Sequence, residues 1–231
     1  MRGIPVVTSN KWPVALHGVE LAGLARGQGV AFRAESTVMS GTPVLSTLTE
    51  GLAGAVPVGL RGVLNATANA ILSQMVGGVS YEDALAEVQR AGLAELDPAA
   101  DVEGHDTVAK VMILSALVFG RQLRPGQVAC QGITGIGRAA AGGRLRHVAT
   151  LAFPGPDGTG TATARVQPET VPVGDLLARV DGVTNALVCQ ASPVGEVTII
   201  GPGAGPHLAG QRVLSDIIAV TQRQPMSPPA Q

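Results

Sequence analysis

Two lysines, Lys11 and Lys110, stand in a chain whose other fourteen basic residues are all arginine. An arginine keeps its proton under all ordinary conditions, whereas a lysine can give one up in a tuned site. Isolated lysines in such a background are candidates for proton transfer or for holding an anion; alternatively, they are residues left over from a codon bias. Around the second of them the acids are crowded. Glu95, Asp97, Asp101, Glu103 and Asp106 place 5 of the 17 acidic residues within 95–106. Asp106 and Lys110 are four positions apart at a helix start and therefore share one face, and an acid ahead of a base suits the helix dipole. One reading is a polar pocket in which carboxylates bind an amine and Lys110 handles a proton. The other is a solvated loop followed by a surface ion pair. The run VAKVMILSALV around Lys110 is apolar on every side. A buried ammonium without partners is very costly, so Lys110 must meet the acids or line a cavity.

Other segments carry weaker signals. Residues 35–43 (ESTVMSGTP) run from a strand end into a turn. There Glu35 and turn carbonyls could hold a hard cation through oxygen, or simply connect two elements. Gly135, Gly137 and Ala140 fit a dinucleotide fingerprint loosely, but the segment after them is too short and Gly-broken for the helix that this motif needs. Gly201, Gly203 and Gly205 do lie between a strand and a helix, where backbone can approach a ligand closely. The acidic loop is out of register for calcium, and His105 has no second His or Cys nearby. Cys130 and Cys189 both lie in apolar runs and read as buried, inert thiols, which suits a reducing cytoplasm.

The elements that must position these residues follow from hydrophobic pattern and turn residues. A strand is expected at 4–8, a helix at 13–26 and a strand at 30–38, a βαβ unit of an α/β sheet. A short helix at 44–53, a strand at 57–63 and a helix at 66–76 come next. Ser80 with Asp83 reads as a capping box opening a helix that runs to Gly92. Asp106 is expected to cap a helix over 107–119. Beyond it, short strands are expected at 127–136, 145–153, 161–167 and 183–200, then a last helix at 208–222 and a disordered tail. Composition fits this α/β reading: 231 residues, 45% hydrophobic and 14% charged. A net charge of −1 and 2% aromatic residues argue against a nucleic-acid surface. No apolar run reaches the ~18 residues of a membrane span, and the start does not read as a signal peptide.

Taken in order, VVTSNK (6–11), ESTVMSGTPVL (35–45), GVLNATANAIL (62–72), AGLAELDPAADVEGHDTVAKVMIL (91–114) and GPGAG (201–205) resemble homoserine dehydrogenase over about residues 3–220. The resemblance implies reversible oxidation of homoserine to aspartate 4-semialdehyde with NAD or NADP, in a cytoplasmic homodimer. It implies that Lys110 is the catalytic proton donor and that Lys11 lies by the nicotinamide and the substrate. Asp106 orients the catalytic lysine, and Glu95, Asp101 and Asp106 meet the substrate amine. Ala66 and Thr67 fall on the substrate loop and Gly205 near the cofactor. Glu35 and the backbone at Val38, Ser40 and Thr42 fall on a site for Na+ or K+.

The implied fold is an α+β catalytic domain with a mixed sheet, plus the C-terminal stub of a Rossmann-like nucleotide-binding domain. The stub spans 1–38, the catalytic and dimerisation domain 39–200, the Gly-rich loop and closing helix 201–222, and the tail 223–231. Most of the family's nucleotide-binding domain is expected to be missing, because Met1 is an internal residue of a longer protein or because the gene is shortened. In the second case the chain could be an inactive substrate-binding or oligomerising remnant. Ala66 stands where the family often has Gly, and Ala70 where it often has an aromatic residue. A semialdehyde dehydrogenase acting through a cysteine thioester is the other enzyme class; neither cysteine has the helix-start and histidine setting it requires.

Overall fold

The computed structural model describes residues 3–137, 143–153 and 160–222. The chain opens with β1 (Val6–Val7), α1 (Lys11–Gly27) and β2 (Phe32–Arg33), and the two strands pair in parallel. The βαβ unit is thus present, with far shorter strands than the sequence predicts. The second strand ends early because Glu35–Thr37 coils into a 3-10 turn. The Glu35 carboxylate turns inward there. It accepts the backbone N–H groups of Val44 and Leu45 on Oε1 (2.6 and 2.7 Å) and of Ser46 on Oε2 (2.7 Å). It thereby supplies acceptors for the orphan amides of the next helical turn, which continues as a π turn over Thr47–Gly51.

Next come β3 (Val56–Val63), α2 (Ala66–Gln74), α3 (Tyr81–Arg90), the short α4 (Ala99–Val102) and α5 (His105–Val118). Ser80 caps α3 as expected, accepting the Asp83 N–H. Asp106 does not cap α5. Gly104 holds the N-cap position with φ of +84°, so Asp106 lies inside the first turn with its carboxylate free for other partners. The strands that follow are β4 (Ala129–Cys130), β5 (Gly143–Ala152), β6 (Thr163–Pro172), β7 (Thr184–Ser192) and β8 (Gly195–Pro202). The strand expected at 127–136 is reduced to two residues, and the single run at 183–200 is a hairpin that turns at Pro193–Val194. Helix α6 (Pro206–Thr221) closes the described chain; the tail expected to be disordered lies outside the described residues.

One six-stranded mixed sheet results, in the order β4-β6-β5-β3-β7-β8, with only β4 and β6 parallel. Strand alternation sends Leu60, Leu151, Leu187 and Cys189 to one face, beneath the almost wholly buried α5. Val63, Val148 and Ala186 face the other way, against Leu177 and Val180. The ends of this second face stay open as a groove of about 440 Å3 around Arg61 and Gln190. Helix α1 lies on α5, and Gly18 permits the approach, since a Cβ there would stand 2.8 Å from the Ala116 Cβ. Helix α6 packs back against the 3-10 turn, where Asp216 accepts the Glu35 N–H at 3.0 Å.

Gly62 is the tightest point in the sheet centre, because an added Cβ would meet the Ala186 carbonyl oxygen at 2.5 Å. Backbone cannot step aside as a flexible side chain can. Gly62→Ala is therefore expected to destabilise the chain by about 2 kcal/mol, whereas Gly59→Ala, whose nearest neighbour would be 3.5 Å away, changes stability far less. Urea denaturation of the two variants checks this; equal midpoints would contradict it.

Candidate active site

The first turn of α5 meets the β3–α2 junction and the start of α1, and the polar side chains of all three converge there. The Asp106 carboxylate is the common acceptor. Lys11 Nζ lies 2.6 Å from its Oδ1 and Lys110 Nζ 2.8 Å from its Oδ2. Lys110 also donates to the Leu64 carbonyl at 2.7 Å. Its side chain is 7% exposed and that of Asp106 11%, whereas Lys11 is 39% exposed at the rim. Burial pushes the Asp106 pKa upward, but the two ammonium groups outweigh it by charge and hydrogen bonding and hold the carboxyl well below the usual carboxylate range. The apolar setting of Lys110 therefore contains a paired charge, as the cost of an unpaired one demanded.

A residue that the sequence reading passed over completes the cluster. Asn65 Nδ2 donates to Asp106 Oδ2 at 3.0 Å and to Asp101 Oδ1 at 2.7 Å. Its Oδ1 accepts the Ala68 N–H at 2.8 Å and caps α2. The available signal was an N-cap residue type directly ahead of a helix. Within α2, Asn69 Nδ2 donates to the carbonyls of Val180, Gly182 and Thr184, which ties the helix to the start of β7.

The other expected positions divide. Ala66 and Thr67 form the first turn of α2, where backbone N–H groups point away from the helix without intrahelical acceptors. The Thr67 hydroxyl is turned aside onto the Leu93 carbonyl, 3.2 Å away. Asp101 reaches the cluster through Asn65. Glu95 is exposed in the loop, and among the described residues its carboxylate makes no hydrogen bond or ion pair. Gly205 stands at the N-cap of α6 with φ of +134°. The glycines before it serve packing. A Cβ on Gly201 would collide with the Thr42 side chain, and one on Gly203 with Asn185.

Glu35, Val38, Ser40 and Thr42, the residues expected around a cation, lie together in the turn after β2. The Glu35 carboxylate is engaged by three backbone amides, and the Thr42 hydroxyl donates to the Pro202 carbonyl at 3.1 Å. Val38 and Thr42 are buried, and Ser40 is partly buried. The side-chain anion of the set thus also caps the helical turn that follows. Among the described residues no cluster of three His, Cys, Asp or Glu could hold a metal ion, and no helix is long and apolar enough to cross a membrane. Cys189 is buried as expected, with its thiol pushed up to about 11 by burial. Cys130 is exposed, contrary to expectation, because β4 ends at it on the sheet edge. Partial burial and the charge of Glu103 still raise its thiol pKa. Gly135 lies in a turn and Ala140 outside the described residues, so the loose fingerprint at 135–140 opens no described helix.

A βαβ unit and a six-stranded mixed sheet place the chain among α/β proteins, with a lysine–carboxylate cluster as its candidate site. Comparison with known proteins narrows that class. The family profile of homoserine dehydrogenase matches residues 43–218. The chain is 40% identical over 229 residues to the NAD(+)-dependent homoserine dehydrogenase of Pseudomonas canavaninivorans, covering 96% of this chain and 64% of that protein. It is 36% identical over 230 residues to homoserine dehydrogenase of Corynebacterium glutamicum, covering 96% of this chain and 52% of the relative. The crystal structure of a homoserine dehydrogenase from Thiobacillus denitrificans superposes with a TM-score of 0.86 at 35% identity, covering 94% of this chain and 51% of that one. A hyperthermophilic archaeal homoserine dehydrogenase in complex with NADPH superposes with a TM-score of 0.83 at 34% identity, covering 96% and 66%. The chain belongs to the homoserine dehydrogenase family, and it spans about half to two thirds of the length of these relatives.

Asp106 gives the fold a specific acid sensitivity. Its folded pKa lies below the unfolded value of about 4, so its stabilising contribution is complete above that pH and is lost as pH falls toward the depressed value. The urea midpoint is expected to drop between about pH 5 and about pH 3. Asp106→Asn should flatten that limb and lower stability at neutral pH by about 3 kcal/mol, since it strands two ammonium groups. An unchanged acid limb in the variant would assign the sensitivity to other acids.

Proposed function

We propose that this chain carries the substrate site of a homoserine dehydrogenase and interconverts L-homoserine and L-aspartate 4-semialdehyde with NAD or NADP. The observation that carries this reading is the unfilled hydrogen-bonding capacity of Lys110. An ammonium has three N–H donors, and the protein takes two of them, at Asp106 Oδ2 and the Leu64 carbonyl. Among the described residues nothing takes the third, which is left for a ligand oxygen. In the reducing direction that proton passes to the aldehyde oxygen as the carbon gains a hydride, and the alcohol forms. The reverse transfer accompanies oxidation. Asp106 stays ionised throughout and holds the two lysines to one side of the substrate.

The remaining groups suit an amino acid. The free N–H groups of Ala66 and Thr67, at the positive end of α2, are placed for a carboxylate. Asp101 retains one carboxylate oxygen beyond its bond to Asn65, and with Glu95 it suits an ammonium. NAD(P), when bound, supplies the hydride chemistry. Its nicotinamide end fits the carboxyl end of β1, where Lys11 and the first turn of α1 lie and where α1 has no side-chain cap; Gly205 borders the same region on this reading. The Gly-rich turn that opens a helix among the described residues, 201–205 before α6, has Gly201 and Gly203 taken up by packing against Thr42 and Asn185, so only Gly205 is assigned to the cofactor here.

On this reading residues 1–38 belong to a nucleotide-binding domain and 39–200 to the substrate and dimerisation domain, with 201–222 closing the two. The same reading includes pairing with another copy of the chain. Unpaired Cys130 and Cys189 suit a reducing cytoplasm.

The test is homoserine-dependent reduction of NAD+ or NADP+, beside calorimetric binding of homoserine. Lys110→Met should retain the fold and lower kcat by about 10³. Undiminished turnover would remove Lys110 from the chemistry. Homoserine binding without any turnover by the unmodified chain would instead support a substrate-binding remnant.

A further inference from the structure

Asn65 is the side chain that joins Asp106 to Asp101 and to the N-terminus of α2. It is 4% exposed. Its amide donates from one nitrogen to two carboxylates, Asp101 and Asp106, and accepts the Ala68 N–H on its oxygen. Its main-chain carbonyl accepts the Asn69 N–H at 3.1 Å, so it also begins the hydrogen-bond ladder of α2. A cap alone does not require this residue type. Asp, Ser or Thr would cap α2 as well or nearly so. Only an amide, however, can accept at the helix and donate to two anions at the same time. Aspartate would bring a third carboxylate within about 3 Å of two others, which like-charge repulsion opposes.

We propose that Asn65 is a positioning residue, whose amide orients the Asp106 carboxylate between Lys110 and Lys11 and locks that carboxylate to the α2 N-terminus. The assignment of a role in catalysis rests on the homoserine dehydrogenase reading. The physical claim about Asp106 does not. Asp106 Oδ2 is shared by Lys110 and Asn65, whereas Oδ1 faces Lys11. Without the amide only the two ammonium groups hold the carboxylate, and both ride on flexible side chains that can turn with it about its Cβ–Cγ bond. The lysine nitrogens then lose their fixed separation from the α2 amides, which is the separation an amino-acid substrate must match.

The lysine count makes this measurable. Because Lys11 and Lys110 are the only lysines, 13Cε-labelled lysine gives two side-chain NMR signals in the unmodified chain, provided any tag lacks lysine. Asn65→Ser keeps a helix cap and removes the reach to Asp101 and Asp106. Asn65→Asp keeps the cap and reverses the charge logic. In Asn65→Ser the acid-limb shift of both lysine signals, which reports protonation of Asp106, is expected to move to higher pH, and the two signals are expected to converge. In Asn65→Asp homoserine affinity should fall about tenfold or more. Circular dichroism on both variants verifies the helices.

Folded variants whose lysine signals and acid limb match the unmodified chain would overturn the proposal. So would Asn65→Asp binding homoserine normally where the unmodified chain binds it. A different result tests the functional reading separately. If homoserine leaves both lysine signals of the unmodified chain unmoved, the substrate assignment fails, and the acid-limb comparison still decides what Asn65 does. If an unfolded variant prevents the comparison in one case, the other capping variant supplies it, and unfolding of both despite intact caps would itself show that the role is structural and overturn the proposal.

Discussion

A carboxylate lying between two ammonium groups, with one of them almost out of contact with water, is the constraint that orders this molecule. Each of these charges is costly to bury alone. Together with Asp101, joined through the Asn65 amide, they form a nearly neutral group in which each buried charge has a partner. The surrounding structure reads as the means of bringing them together. Gly18 lets α1 settle on α5, which delivers Lys11 from one end of the chain. Gly104 starts α5 two residues early, and this leaves Asp106 uncommitted to capping. Strand β3 delivers the Leu64 carbonyl and Asn65 from the sheet.

The same principle governs a second buried acid. Glu35 is as deeply buried as the central residues of the cluster, yet its oxygens face backbone amides only. It terminates β2 and begins a helical turn, and through its own N–H it anchors α6 by Asp216. Burial pushes the Asp216 carboxyl up, with the nearby Glu35 charge adding to this against the amide it accepts. The Gly-rich run at 201–205 follows suit. Two of its glycines are required by Thr42 and Asn185, whose side chains occupy the space that a Cβ would fill. A motif that looks like a ligand loop in one dimension is there first because strand and turn cross closely.

Much of the candidate site was legible before any coordinates. A lysine in an apolar helix must find an anion, and an acid one turn earlier is the nearest source, so the Asp106–Lys110 pair follows from spacing and cost alone. Helix and strand types followed from periodicity, and the central strand β3 and helix α2 fell close to their expected places. Elements whose length depends on partners were misjudged. Strands at 30–38 and 127–136 have suitable composition, but the chain bends at Glu35 and beyond Cys130 because side-chain contacts made elsewhere outweigh β-propensity.

The sequence by itself determined the kinds of group present and their local geometry: two titratable cations, an acid-rich loop, an i, i+4 pair and a βαβ start. These depend on residue identity and on the 3.6-residue and 2-residue periods, which act over a few positions. Tertiary structure alone decided that Lys11 reaches Asp106 from ninety-five positions away, that Asn65 joins two carboxylates, and that Glu35 faces inward to amides. Such contacts depend on how two helices and a sheet edge cross. That crossing is set by packing at points such as Gly18 and Gly62, where a single missing methyl group fixes the distance between elements.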